Sequence, residues 1–82
     1  MRKTWIACGY RDKYDESGYF SGQSSPYYLT KNFRGEFRWK KCAKVEALKF
    51  NSIYKAFKFA QRGYDEHRVI DSVGYVEYKR RG

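Results

Sequence analysis

The chain has 82 residues, which is enough for one small hydrophobic core and too few for a second domain, so we expect a single domain over residues 1–82. Phe, Tyr and Trp make up 21% of the residues, which excludes a disordered tail because so many rings need a core. The net charge of +9 favours a polyanionic partner, and no apolar run approaches the ~18 residues of a membrane span.

The cysteines and the histidine lack the spacing of a metal site. Cys8, Cys42 and His67 form neither a C-x-x-C nor an H-x-x-x-H pair, so we expect no metal and no other cofactor. No apolar segment of signal-peptide length follows the basic residues 1–3, so we expect a soluble, cytoplasmic protein. In that compartment both cysteines are interpreted as buried thiols, and a disulfide between them is the less favoured alternative.

The first part of the chain predicts a strand followed by a loop. Residues 3–10 alternate loosely and contain Trp5 and Ile6, which is typical of a strand. Residues 11–25 are mostly charged or small, apart from one adjacent pair of rings. They indicate a long surface loop, which ends at Pro26.

The next segment has the pattern of a β-hairpin. Residues 27–30 and 37–41 are short runs rich in aromatic rings. Residues 32–35 between them contain turn residues, and Gly35 can take a positive φ. The sequence therefore predicts two antiparallel strands joined by a four-residue loop.

Side-chain alternation divides the second of these strands into two faces. Phe37 and Trp39 share one face and are predicted to fill the core, whereas Arg38 and Lys40 point to solvent on the other. Phe33 lies at the predicted hairpin tip, where it has no core to enter. We therefore expect Phe33 to contact a base or a partner.

The best-supported element is a helix that begins near residue 51. Apolar residues recur at the helical spacing i, i+3, i+4 and i+7, at Ile53, Ala56, Phe57 and Ala60. Asn51 or Ser52 can cap the first turn, and Gly63 can end the helix in a left-handed conformation.

A last strand, or a bent pair of strands, is predicted over residues 69–78, with a bulge at Gly74. Residues 79–82 are expected to be a frayed basic tail. The order strand, loop, hairpin, helix, strand indicates an α+β fold of two layers, in which one helix covers a mostly antiparallel sheet.

The positive charge is concentrated in the middle of the chain. Residues 31–62 hold ten of the 18 Lys and Arg but only two of the nine Asp and Glu. Charged side chains usually form a merely solvated face, but this segregation favours a continuous phosphate-binding surface. The predicted RNA-binding residues are Lys31, Phe33, Arg34, Arg38, Lys40, Lys41, Lys44, Tyr54, Lys55, Lys58, Phe59 and Arg62.

Residues suited to catalysis are scarce, and we expect no enzyme. His67 lies in a polar link, where it is interpreted as a surface partner of Asp65 or Glu66. The acidic residues of the predicted loop are interpreted as a solvated cluster. A glycine-rich phosphate loop is absent from the sequence.

The spacing of Trp39, Ala47, Phe50, Ser52 and Ala56 resembles the W…A-x-x-F-x-S-x-x-x-A layout of many small phage-encoded proteins, in which a hairpin leads into a capped helix and a closing strand. In size and charge the chain also resembles the small early proteins of T4-like bacteriophages, which include an RNA-assisted inhibitor of a type III toxin ribonuclease. The resemblance implies a stoichiometric inhibitor of a host toxin or defence ribonuclease that acts in the host cytoplasm with bound RNA.

The expected function is therefore sequence-tolerant RNA binding by charge and stacking. A single helix cannot form a helix-turn-helix, which disfavours reading of the DNA major groove. Two alternatives remain open at this point: an inhibitor that docks its basic face on an acidic host enzyme without RNA, and an accessory protein of the ribosome or nucleoid. An exposed sheet edge in so small a domain also favours a homodimer.

Overall fold

The computed structural model describes residues 3–66, 68 and 70–79. Within these residues it contains six strands, a short 3₁₀ helix and one α-helix, and the predicted α+β class is confirmed. In chain order the elements are β1 (Trp5–Tyr10), β2 (Asp12–Tyr14), β3 (Phe20–Gln23), β4 (Tyr27–Lys31), β5 (Phe37–Lys40), the 3₁₀ helix (Lys44–Glu46), α1 (Ile53–Ala60) and β6 (Ser72–Glu77).

Four of the strands form one antiparallel sheet in the order β5-β4-β1-β6. β1 lies inside the sheet, and its four central residues are buried. It pairs with β6 along all six of its residues. Its pairing with β4 is limited to Cys8 opposite Tyr28 and Gly9 opposite Tyr27, so the two strands separate beyond that point.

The segment before α1 fills the gap between β1 and β4. The backbone N–H of Leu48 donates to the carbonyl of Leu29 on β4 at 2.8 Å. Phe50 and Trp5 on β1 exchange two backbone hydrogen bonds of 2.7 and 2.8 Å. This segment satisfies backbone groups that the separated strands would leave unpaired, and it leads the chain from one face of the sheet to the other.

Each face of the sheet has its own core cluster. The alternation of β1 sends Ala7 to the face covered by α1 and its neighbours Ile6 and Cys8 to the opposite face. The first cluster contains Ala7, Leu29, Phe50, Ala56 and Ala60, and the second contains Ile6, Cys8, Tyr28 and Ala47.

The helix begins as predicted but is rotated relative to the predicted stripe. Ser52 caps it, because its Oγ accepts a hydrogen bond from the N–H of Lys55 at 3.1 Å. The two alanines of the stripe are buried, whereas Ile53 and Phe57 are each 47% exposed. Phe59 packs inward instead, with its ring centroid 5.6 Å from that of Phe50. Phe59, which the sequence placed among the RNA-binding residues, is thus partly buried against the core cluster under α1.

Gly63 does not end the helix in a left-handed conformation, which corrects the prediction. The helix ends in hydrogen bonds of the 3₁₀ type, between residues three apart. The N–H of Arg62 donates to the carbonyl of Phe59, and the N–H of Gly63 donates to the carbonyl of Ala60. Glycine is required here by contact: a Cβ at Gly63 would lie 2.6 Å from Trp39 Nε1 and 2.7 Å from a methyl carbon of Leu29.

Adding that Cβ therefore tests how tightly the helix end packs on the sheet. We expect Gly63→Ala to lower the free energy of unfolding by about 1 to 3 kcal/mol, because the neighbouring side chains must move. Gly74→Ala is the matched control, since its new Cβ would meet nothing closer than 3.8 Å. Urea denaturation should leave the control unchanged or more stable by up to about 1 kcal/mol. Equal losses in the two variants would contradict the account.

The predicted β4–β5 hairpin is confirmed. Gly35 takes a φ of 81°, and its N–H donates to the carbonyl of Asn32 at 3.0 Å. The side-chain oxygen of Asn32 also accepts from the N–H groups of Arg34 and Glu36. Phe33 is 94% exposed at the tip. The two faces of β5 also follow the prediction, with Phe37 and Trp39 against the core and Arg38 and Lys40 exposed.

Residues 11–25 are not a loop, which corrects the sequence interpretation. They form an antiparallel hairpin of β2 and β3, which we call the β2–β3 arm. Gly18 has a φ of 84°, and Asp15 Oδ1 accepts from the N–H groups of Ser17 and Tyr19, both at 2.9 Å. The arm was missed because most of its residues are exposed, so no apolar alternation marks its strands.

The last strand begins at Ser72 and runs without a bulge, since Gly74 pairs in regular register with Cys8. The predicted strand start at Val69, the expected role of His67 and most of the basic tail lie outside the described residues. In the part of the chain that the structure describes, none of the helical segments has the length and apolarity needed to cross a bilayer.

Both cysteines are free thiols, and Cys8 is the more deeply buried. Burial raises the pKa of the Cys8 thiol above its usual range, although Lys44 and a hydrogen bond with Tyr10 act in the opposite direction. The folded state therefore holds the thiol proton more tightly than the unfolded state does.

Because of this thiol, the free energy of unfolding should decrease at alkaline pH. Its contribution is present below the unfolded pKa of about 8.5 and is lost as the pH rises through the raised folded value. We expect the free energy of unfolding of the wild type, minus that of Cys8→Ala, to decrease above about pH 8.5. Urea titrations of both proteins across this range measure the difference, and a constant difference would be inconsistent with a protonated buried thiol.

Candidate nucleic-acid interface

Tyr64, in the segment after α1, pairs through its backbone with the outer edge of β5. The N–H of Trp39 donates to the carbonyl of Tyr64 at 3.0 Å, and the N–H of Tyr64 donates to the carbonyl of Phe37 at 2.9 Å. This pairing fixes the ring of Tyr64 beside Arg38, whose guanidinium lies 5.3 Å from the ring centroid. The ring nevertheless stays 56% exposed.

Two depressions adjoin at Arg38 and Tyr64, and together we call them the β5 groove. One has a volume of about 390 Å³ and the other about 510 Å³. The first extends along β4 and β5, and the second extends towards the end of α1. Charged and aromatic residues that line the groove include Lys31, Glu36, Phe37, Arg38, Lys40, Glu46, Arg62, Tyr64 and Glu66.

The β5 groove is lined by four cations and by three acidic residues, Glu36, Glu46 and Glu66. Among the described residues, the one ion pair found joins Arg38 to Glu36 at 3.7 Å, and both side chains are about half exposed, so its contribution is small. Glu46 also lines the groove, but its carboxylate accepts a hydrogen bond from the N–H of Ala43 at 3.0 Å. Lys31, Lys40 and Arg62 thus offer charge that a bound phosphate can neutralise.

Aromatic rings support several of these cations. The Lys31 ammonium lies 5.8 Å from the centroid of Phe37, and the Arg62 guanidinium lies 5.6 Å from that of Phe59. Phe37 and Phe59 contact each other with centroids 5.1 Å apart. These contacts orient the cations and leave their charge available to a phosphate, because a ring face attracts a cation while carrying no net charge.

Comparisons with protein-family models, with curated proteins and with solved structures find no match for this chain.

The twelve residues predicted from the sequence do not all line the β5 groove. The β5 groove brings together four of them, which are Lys31, Arg38, Lys40 and Arg62. Arg34 and Phe33 lie at the neighbouring hairpin tip, with the guanidinium 5.5 Å from the ring centroid.

The other members lie elsewhere. Tyr54, Lys55 and Lys58 are exposed on α1 and line neither depression of the β5 groove. Lys44 is exposed near the thiol of Cys8, which itself belongs to the cluster opposite α1, and Lys41 lines a different depression beside the β2–β3 arm. Phe59 is half-buried, as described above.

Tyr64 is the main residue that the sequence analysis missed. It follows Gly63 directly and precedes two acids, a pattern that predicts a polar link between the helix and the last strand. The available signal was a large ring directly after Gly63, which the sequence predicted as the end of the helix. Its position beside β5 depends on backbone pairing between residues distant in sequence, which no local pattern encodes.

Proposed function

We propose that the protein binds single-stranded RNA in the β5 groove. The observation that carries the proposal is the pair Arg38 and Arg62, which come from a strand and a helix end and line the same groove as the exposed ring of Tyr64. Cations that track a backbone and a ring on which a base can stack are the two components of sequence-tolerant single-strand binding.

Each component has a distinct role in the proposal. The two arginines bind phosphate oxygens through their planar donor forks, and Lys40 and Lys31 add charge along the same edge. Tyr64 stacks on a base without reading its identity, because every base has an aromatic face. Binding of this kind tolerates many sequences and weakens as salt rises.

A single strand fits this groove better than a duplex. α1 has eight residues and buries its alanines against the sheet, so it is not a protruding recognition helix. The ring of Tyr64 can stack only on a base that is free of its own partner.

The resemblance to phage early proteins extends the proposal to a stoichiometric inhibitor of a host toxin or defence ribonuclease. In this extension the bound RNA lies between the protein and the substrate groove of the ribonuclease. The protein-only alternative makes a different claim, because it needs no RNA. Capture of the ribonuclease by nuclease-treated protein, free of excess absorbance at 260 nm, would favour that alternative.

Substitution of Tyr64 tests stacking directly. We expect Tyr64→Leu to weaken binding of a fluorescent oligouridylate by about 5- to 100-fold, as loss of one base–ring stack does. Tyr64→Phe is the matched control and should bind like the wild type, since it keeps the ring. Fluorescence anisotropy measures the affinities, with a duplex of the same length as a second ligand. If the Leu and Phe variants bound the RNA with equal affinity, the ring of Tyr64 would not stack on a base.

A further inference from the structure

We propose that the β2–β3 arm carries a second anion site that continues the RNA path beyond the β5 groove. This inference rests on the proposed function and adds residues to it. The site is an open depression of about 590 Å³ between the arm and the end of the sheet, which we call the arm depression. Its lining includes three cations, Arg11, Lys13 and Lys41.

The chemistry of the arm depression suits phosphate. Ser21 and Ser25 add hydroxyl groups to the three cations, and Tyr14 adds a ring that is 63% exposed. Phosphate oxygens accept hydrogen bonds from both kinds of donor. A strand that places its backbone on the cations can stack a base on Tyr14, whose ring is supported edge-on by Phe20 with centroids 6.1 Å apart.

One acidic residue lines the arm depression beside its three cations. Asp12 lines it, and its Oδ1 accepts from Gln23 Nε2 at 3.2 Å. Asp71 accepts from the N–H of Asp12 at 2.6 Å, and Asp15 is engaged in the turn of the arm. Of the acidic residues at the arm, Glu16 alone remains, and it does not line the depression. In the described part of the chain, none of the three cations forms an ion pair.

The base of the arm is fixed to the sheet, so the depression exists before a ligand binds. Ser24 N–H donates to the carbonyl of Arg11 at 2.8 Å, and Arg11 N–H donates to Ser24 Oγ at 3.1 Å. Gln23 Nε2 also donates to Ser72 Oγ at 3.2 Å, which joins the arm to β6. A preformed site loses less conformational entropy when a ligand orders it.

The arm depression and the β5 groove lie next to each other. Lys40 lines the groove and Lys41, the next residue along the chain, lines the depression, so the two sites meet at the end of β5, where successive side chains point to opposite faces. One flexible strand can therefore contact both sites. A ligand with regularly spaced phosphates and aromatic bases uses this arrangement fully, whereas an isolated phosphate occupies only one part of it.

The length of the RNA ligand distinguishes binding at the β5 groove alone from binding at both sites. We compare oligouridylates of about 4 and about 16 nucleotides, the range of single-strand site sizes, on wild type and on the double variant Arg11→Gln and Lys13→Gln. The long strand should gain affinity over the short one in the wild type and should lose most of that gain in the variant. Lys41→Gln, on the sheet side of the depression, should reduce the same gain.

The salt dependence provides a second readout. Two lost phosphate contacts should lower the slope of log affinity against log salt by about 1.4 for the long strand, so that between about 50 and 200 mM salt the wild type loses about sevenfold more affinity than the variant does. The control is Lys3→Gln with Lys79→Gln, which removes the same charge from exposed residues that line neither site.

Failure of the inference and failure of the proposed function give different results. If the wild type binds the long strand and the arm variant keeps both its affinity and its salt slope, or changes only as much as the control, the arm site is overturned while the β5 groove stands. If the wild type binds neither strand, both are overturned. Circular dichroism of each variant confirms that the fold is retained.

Discussion

Replacing Arg38 and Arg62 together by glutamine is expected to reduce the affinity for single-stranded RNA by about 100-fold or more. Each guanidinium would contribute a charge-assisted hydrogen bond to phosphate, about 1.5 to 3 kcal/mol, and the two losses combine in one groove. Both side chains are exposed, so the variant should fold normally. Fluorescence anisotropy with a labelled oligouridylate at low salt measures the effect.

Two controls separate groove geometry from net charge. Arg38→Lys with Arg62→Lys keeps the charge but loses the planar fork, and it should recover only part of the affinity. Lys3→Gln with Lys79→Gln removes two charges outside the groove and should have a much smaller effect. If the two glutamine pairs weakened binding equally, net charge alone would explain the affinity and the groove would have no special role.

Leu29→Ala is expected to have the largest effect on the fold. Leu29 is fully buried, belongs to the cluster under α1, and its methyl group lies against the position of Gly63. Removing its side chain should cost about 2 to 5 kcal/mol, while a chain of this size has a total stability of about 4 to 12 kcal/mol. Much of the protein should therefore unfold in mild urea.

Urea denaturation followed by circular dichroism measures this loss. Leu29→Met is the volume-matched comparison and should cost less than about 1.5 kcal/mol. Val45→Ala is an exposed control, because Val45 is 64% exposed, and it should change stability by no more than about 0.5 kcal/mol. If the Leu29→Ala protein were as stable as the Val45→Ala control, Leu29 would not be a core residue.

Elements with strong local signals were predictable from the sequence. The β4–β5 hairpin follows from ring-rich runs around a turn that contains Gly35, and the start of α1 follows from an apolar period of 3.6 after Ser52. The opposite faces of Phe37 and Arg38 follow from alternation alone.

Features that depend on contacts between distant residues were not predictable. Phe59 packs between Phe37 and Phe50, although the apolar period of 3.6 leaves that ring outside the predicted stripe. The passage of residues 48–50 between β1 and β4 has no local signature.

The candidate site was harder to predict than the fold. Lysine and arginine are tolerated on any exposed surface, so a count of charges along the chain cannot say which of them meet. Arg38 and Arg62 line one depression because Tyr64 pairs beside β5 after the helix ends, whereas Lys41 faces the β2–β3 arm. The basic residues of the segment 31–62 are thus divided between the β5 groove, the arm depression and the exposed side of α1.

The salt dependence of RNA binding tests the central claim most directly. Phosphate contacts by Lys31, Arg38, Lys40 and Arg62 would give a slope of log affinity against log salt of about −3 for a short single strand, at about 0.7 per contact. The double variant Arg38→Gln and Arg62→Gln should bring this slope to about half. An affinity that does not change with salt, or a slope that is the same in the variant, would contradict phosphate binding in the β5 groove.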